Sequence, residues 1–146
     1  MRVLGIDPGS LRTGWGVVVC RGPSLRYVAS GVIAAEGELA SRLAQIASGL
    51  ELVLAEHLPD AVVIESLFHH KNSRSALQLG HARGVALLCV ARSGAALFEY
   101  APAQIKRAAT GNGRASKELV ARMVRMILGM RAGPGADRRL PCCLRK

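Results

Sequence analysis

The hydrophobic pattern opens with a short apolar run over Arg2–Asp7 that stops at Pro8-Gly9, which predicts a buried strand. A valine-rich run over Thr13–Cys20 predicts a second strand, and Leu25–Ile33 a third after the turn Gly22-Pro23-Ser24. Two short turns between these strands predict an antiparallel, three-stranded opening. Leu39, Leu43, Ile46, Leu50, Val53 and Leu54 then recur at helical spacing and predict a helix over Glu38–His57, ended by Pro59-Asp60. Ala61-Val62-Val63-Ile64 shows no alternation, as expected of a strand covered on both faces.

A second helix is predicted over Ser73–Arg92. It carries Gly80 and Gly84, and a glycine inside a helix costs about 1 kcal/mol relative to alanine. Close approach of another helix is the usual compensation. Ala96–Tyr100 predicts a fifth strand, and Pro102 suits the first turn of a short helix through Ala108. After the loop Thr110-Gly111-Asn112-Gly113, Ser116 caps a helix over Lys117–Leu128, with Leu119, Met123, Met126 and Ile127 on its apolar side. Strands first and alternating units afterwards imply one mixed sheet with helices packed on it.

At 146 residues the chain fits one domain with its own core. Hydrophobic residues make up 50% and aromatics only 3%, so that core is aliphatic. The net charge of +10, from 20 basic and 10 acidic residues, changes the picture more: it favours a polyanionic partner, nucleic acid or an anionic membrane surface. No run is long and charge-free enough to span a bilayer, and Asp7 interrupts the first apolar run too early for a signal peptide. Cys20 and Cys89 sit in apolar runs, Cys142 and Cys143 are adjacent, and no CxxC spacing suggests zinc. A reducing, cytoplasmic setting is expected.

Candidate chemistry begins with two acids. Asp7 ends the first apolar strand and Glu65 follows another directly. A bare carboxylate in such a place is costly, whereas a cation beside it removes the cost. If the two strands are neighbours, both carboxylates enter one crevice, and their repulsion is relieved by Mg²⁺, which takes oxygen ligands and shares them with water and phosphate. Taken singly, Asp7 also fits a turn before Pro-Gly, and Glu65 a solvated loop. Asp137, in Gly133-Pro134-Gly135-Ala136-Asp137, reads by itself as a loop residue. Lys106, Arg107, Arg114 and Lys117 form a basic cluster around the Gly-Asn-Gly loop, suited to phosphates or simply to solvent. Phe68, one of two phenylalanines, would stack on an unpaired base if exposed and join the core if buried. His69, His70, Lys71 and Arg74 extend that segment as phosphate contacts, and His81 lies mid-helix as a structural or interface residue.

Three blocks in order, LGIDPGSLRTGWGVV, AVVIESLFHHKNSRSALQLGHARGVAL and EYAPAQIKRAATGNGRASKELVARMV, closely resemble RuvC Holliday-junction resolvases. The resemblance runs from Met1 to Asp137. It implies an α/β fold of the ribonuclease-H-like kind: a mixed five-stranded sheet with helices on both faces. It also implies a nuclease centre of four acids and two Mg²⁺ ions. By position Asp7 is the first acid, Glu65 the second and Asp137 the third. Lys106 and Lys117 fall on positions that contact DNA in the family, and Phe68 on the residue that stacks at the junction centre. The implied partners are four-way junction DNA, a second copy of the chain in a homodimer, and the RuvA and RuvB branch-migration proteins. The implied products carry 5′ phosphate and 3′ hydroxyl ends.

The fourth acid should stand where this chain has Leu140, and RRLPCCLRK from Arg138 onward departs from the family pattern. The expected organisation is therefore a nuclease domain over 1–137 and an atypical tail over 138–146, either truncated, divergent or produced by a reading-frame shift after Asp137. Three other readings stand beside the resolvase: a nuclease for RNA–DNA hybrids, a junction-binding protein without catalysis, and an ATP-binding protein of the ASKHA type, for which the chain is short.

Overall fold

The computed structural model describes residues 1–66 and 73–130. Three strands come first: β1 (Arg2–Asp7), β2 (Arg12–Arg21) and β3 (Ser24–Ala34). They are followed by α1 (Leu39–His57), β4 (Ala61–Glu65) and α2 (Ser73–Ser93). The described chain closes with β5 (Ala96–Tyr100), α3 (Pro102–Thr110) and α4 (Lys117–Ile127). The strands form one sheet in the order β3-β2-β1-β4-β5. The β1–β2 and β2–β3 pairs are antiparallel, while β1–β4 and β4–β5 are parallel. The mixed five-stranded α/β sheet expected from the sequence is the one observed.

The core lies between one sheet face and the helices α1 and α2. Leu4, Ile6, Val17, Val62 and Ile64 come from the strands, Ile46, Leu50, Val53 and Leu54 from α1, and Ala82, Ala86, Cys89 and Val90 from α2. Burial of each large aliphatic side chain contributes roughly 1.5–3 kcal/mol. Small residues on the inner side of α2 let it lie close to α1. Burial also pushes the Cys89 thiol up from its ordinary value, which keeps it protonated and unreactive. Strand alternation fixes the consequence for function. With Leu4, Ile6, Val62 and Ile64 turned toward the helices, Gly5, Asp7, Val63 and Glu65 belong to the opposite face.

Two glycines are set by packing. A Cβ on Gly49 of α1 would lie 2.8 Å from the Ile33 side chain of β3, and one on Gly31 would lie 2.8 Å from the Trp15 indole. The helix-packing reason expected for Gly80 and Gly84 is not met among the described residues of the chain: both are exposed, and a Cβ on either would meet nothing there within 4 Å. Among the described residues, no helix is long and apolar enough to cross a membrane.

Helix ends follow their caps. Leu58 closes α1 in the left-handed region at φ 43°, with its N–H donating to the Leu54 carbonyl. Gly111, at φ 76°, closes α3 two residues later than the sequence suggested, because its N–H reaches the Arg107 carbonyl at 2.8 Å. The Ser116 hydroxyl accepts from the Leu119 N–H at 3.3 Å and starts α4 where the capping pattern placed it.

Candidate active site

Asp7 and Glu65 end neighbouring parallel strands. The register pairs Gly5 with Val63 and Ile6 with Ile64, so the next residue on each strand is an acid. Adjacent strands lie about 4.8 Å apart, and both acids belong to the face away from α1 and α2. On its other side Asp7 pairs with Gly14 of β2, which places no side chain beside it. The end of β4 is held by the Ser66 N–H, which donates to the Tyr100 carbonyl at 2.9 Å.

Electrostatics place four charged groups together. Burial pushes the Glu65 carboxyl above its ordinary value, and the charge of Asp7 pushes it the same way; Lys106 and Lys117 pull it back. Thus the sheet supplies two acids while α3 and the first turn of α4 bring two ammonium groups to them. Lys117 sits at a helix N-terminus, where the peptide dipoles disfavour a cation. Its position is therefore not explained by the stability of α4.

The segment between the two lysines is tightly built. Thr110 Oγ1 donates to the Lys106 carbonyl at 2.8 Å, and the Asn112 N–H donates back to Thr110 Oγ1 at 3.1 Å. Asn112 Oδ1 accepts from the Arg114 N–H at 2.9 Å. A Cβ on Gly113 would come within 2.9 Å of the Ala103 carbonyl oxygen, so only glycine allows this closeness. Arg114 projects from the exposed part of this loop.

A second rigid piece borders Asp7. Thr13 is fully buried, and its Oγ1 donates to the Gly9 carbonyl at 3.0 Å and accepts from the Gly9 N–H at 3.4 Å. A Cβ on Gly9 would collide with the Arg12 carbonyl oxygen. The Leu11 carbonyl accepts from the Ala35 N–H at 2.9 Å. Sequence reasoning missed this brace; the available signal was a threonine four residues after a glycine in the turn that follows the first acid.

The donor set suits a hard divalent cation. Two carboxylates forced together at a strand end supply oxygen ligands and a charge conflict that such an ion relieves. Among the described residues no group of three His, Cys, Asp or Glu is close enough to hold a metal by itself. A groove of about 340 Å³, lined by Leu54, Leu58, Cys89 and Arg92 among others, lies at the C-terminal ends of α1 and α2, at the opposite end of the parallel strands from the acids.

The family model described as crossover junction endodeoxyribonuclease RuvC matches residues 3–138. The chain belongs to the RuvC family. Similar relatives include a crossover junction endodeoxyribonuclease RuvC of Chromohalobacter salexigens, 51% identical over 92% of this chain and 73% of the relative. Another, from Sorangium cellulosum, is 48% identical over 94% of this chain and 78% of the relative. Among solved structures, T. thermophilus RuvC in complex with Holliday junction substrate superposes with a TM-score of 0.88 at 34% identity, covering 99% of this chain and 87% of that one.

Within this RuvC-family chain, the fold brings Asp7, Glu65, Lys106 and Lys117 to one end of the sheet. Phe68, Lys71, Asp137 and Leu140 lie outside the described residues, as do His69 and His70 and the side chain of Arg74.

Proposed function

We propose that this chain is a structure-selective endonuclease that resolves Holliday junctions by Mg²⁺-dependent phosphodiester hydrolysis during DNA recombination and repair in the cytoplasm. The carrying observation is the acid pair: Asp7 and Glu65 at the ends of adjacent parallel strands, faced by Lys106 and Lys117. Membership of a family whose relatives are named crossover junction endodeoxyribonucleases supports the reaction class. A relative solved on a Holliday junction supports the substrate.

In this reading Asp7, Glu65 and Asp137 hold two Mg²⁺ ions per subunit. Bound there, the ions supply an activated water and charge stabilisation for the departing 3′ oxygen. Lys106 and Lys117, with Arg114, bind phosphates on their side of the cut and release counterions, so affinity falls steeply with salt. The braced Thr110–Arg114 segment keeps the lysines in place and limits the entropy lost when DNA arrives. Lys71 and Arg74 add phosphate contacts, and Phe68 stacks on a base at the junction centre.

A junction of near two-fold symmetry suits two active sites in a homodimer. The outer side of α2 supports that assembly, because Gly80 and Gly84 have open space above them and Leu77 and Leu88 are exposed. RuvA and RuvB are the proposed partners in branch migration. The family match ends at residue 138, which supports treating 138–146 as an atypical tail. The second reading is a junction-binding protein without catalysis, favoured by Leu140 at the expected place of the fourth acid.

Cleavage of a synthetic four-way junction in Mg²⁺ separates these. The nuclease reading expects paired cuts near the branch point, reduced at least about a hundredfold in Asp7→Asn and Glu65→Gln. Tight junction binding without cutting, restored to cutting by Leu140→Asp with a family-like tail, favours the binding protein. Preferential cutting of an RNA–DNA hybrid contradicts both.

A further inference from the structure

Arg12 opens β2 and is exposed. Alternation turns its neighbours Thr13 and Trp15 toward the helices: Thr13 is fully buried, and the Trp15 ring lies 5.4 Å from that of His57 on α1. Arg12 and Gly14 therefore belong to the other face, the one that carries Asp7 and Glu65. Gly14 is the register partner of Asp7. Arg12 stands two residues further along β2, about 7 Å beyond, where β1 has already ended. Gly14 itself puts no side chain between Arg12 and Asp7.

Arg12 is also held ready. The hydrogen bonds between Gly9 and Thr13, and between Ala35 and Leu11, fix the backbone on both sides of it. The ion pairs of the described residues engage His57, Arg83 and Arg92, and none engages Arg12. Lys106 and Lys117 come from the helices after β5, at the other end of the strand order from β2. The two acids are thus flanked by cations on both sides. The row Arg12, Asp7, Glu65 crosses two strand gaps of about 4.8 Å and steps about 7 Å along β2, so it spans roughly 12 Å. A DNA strand carries one phosphate per about 3.4 Å along its axis, so the row covers about three nucleotides.

We propose that Arg12 is a positioning residue that grips a backbone phosphate next to the scissile one, on the side of the acid pair opposite to Lys106 and Lys117. This rests on the nuclease reading above and adds to it a second phosphate anchor. An arginine fork on a braced strand end fixes the strand in direction as well as in place.

The test is junction affinity of the full chain without divalent metal, across a series of salt concentrations. The variants are Arg12→Ala, Arg12→Lys and Arg26→Ala; Arg26 is exposed and pairs with Val19 toward the other end of the β2–β3 hairpin. Arg12→Ala should weaken binding about tenfold at low salt and reduce the slope of log affinity against log salt by about 0.9. Arg12→Lys should restore most of the slope, and Arg26→Ala should stay within about twofold of wild type. Equal effects of Arg12→Ala and Arg26→Ala, or none from Arg12→Ala, overturn the assignment. Arg12→Lys keeps the test valid if the alanine variant melts early by circular dichroism. A linear duplex of equal length, measured in parallel, separates the failures. Wild type binding both DNAs equally contradicts the junction reading, while the Arg12 slope on either DNA still decides the phosphate contact.

Discussion

At the scale of single residues, Glu65 concentrates the conflict that a bound ion would relieve. Burial and the neighbouring Asp7 raise its carboxyl above the ordinary value of 4.5, and the two lysines only partly oppose this. The folded state therefore holds the Glu65 proton more tightly than the unfolded chain does. Without metal, the stabilising effect of that proton is complete below the ordinary value and is lost as pH rises through the raised one. Thermal melting in chelator should show a fall in stability over that window, absent in Glu65→Gln, and Glu65→Gln should melt higher than wild type at neutral pH. A Glu65→Gln profile parallel to wild type would mean that Glu65 is not in the repulsive pair. Protons and Mg²⁺ compete for the same oxygens, so metal affinity should rise with pH.

At the scale of elements, glycine positions decide how closely pieces approach. Gly49→Ala gains helix propensity of about 1 kcal/mol but drives a Cβ into Ile33, 2.8 Å away. The net effect on chemical denaturation should be destabilising by about 1 kcal/mol, and it should change sign in an Ile33→Ala background. The same sign in both backgrounds would show that α1 is free to shift.

The pattern of apolar residues made the elements legible because each buried face has its own period: β4 ran apolar up to its closing acid and α1 kept its three- and four-residue steps. What escaped was tertiary. Glu65 closes β4 as a strand residue because Tyr100 of β5 lies opposite it, a partner invisible in the local sequence. The contact of Gly49 with Ile33 joins positions far apart in the chain, and the Thr13–Gly9 brace depends on a buried hydroxyl. The acid pair was legible only on the condition that β1 and β4 are neighbours, and they are. Gly80 and Gly84 were read as the approach of another helix and as a face joining two subunits; the described residues of the chain itself leave open space over both.

At the scale of the whole molecule, a net charge of +10 and an acid pair at one end of the sheet act together. In the proposed reading the overall charge draws DNA in, and the lysines beside the acids determine where a phosphate rests. Sedimentation of Gly84→Leu should show loss of dimer with no change in monomer folding, because a Cβ at Gly84 meets nothing within 4 Å among the described residues. An unchanged dimer would move the interface away from α2.

The most direct measurement is the thermal unfolding midpoint as Mg²⁺ is added, for wild type, Asp7→Asn and Glu65→Gln side by side. An ion bound only by the folded acid pair raises the midpoint with its concentration. Wild type should rise in proportion to the logarithm of Mg²⁺ concentration once that exceeds Kd, while both variants, already relieved of the repulsion, stay nearly flat. Equal rises in all three proteins, or none in wild type, would contradict a cation site built from Asp7 and Glu65.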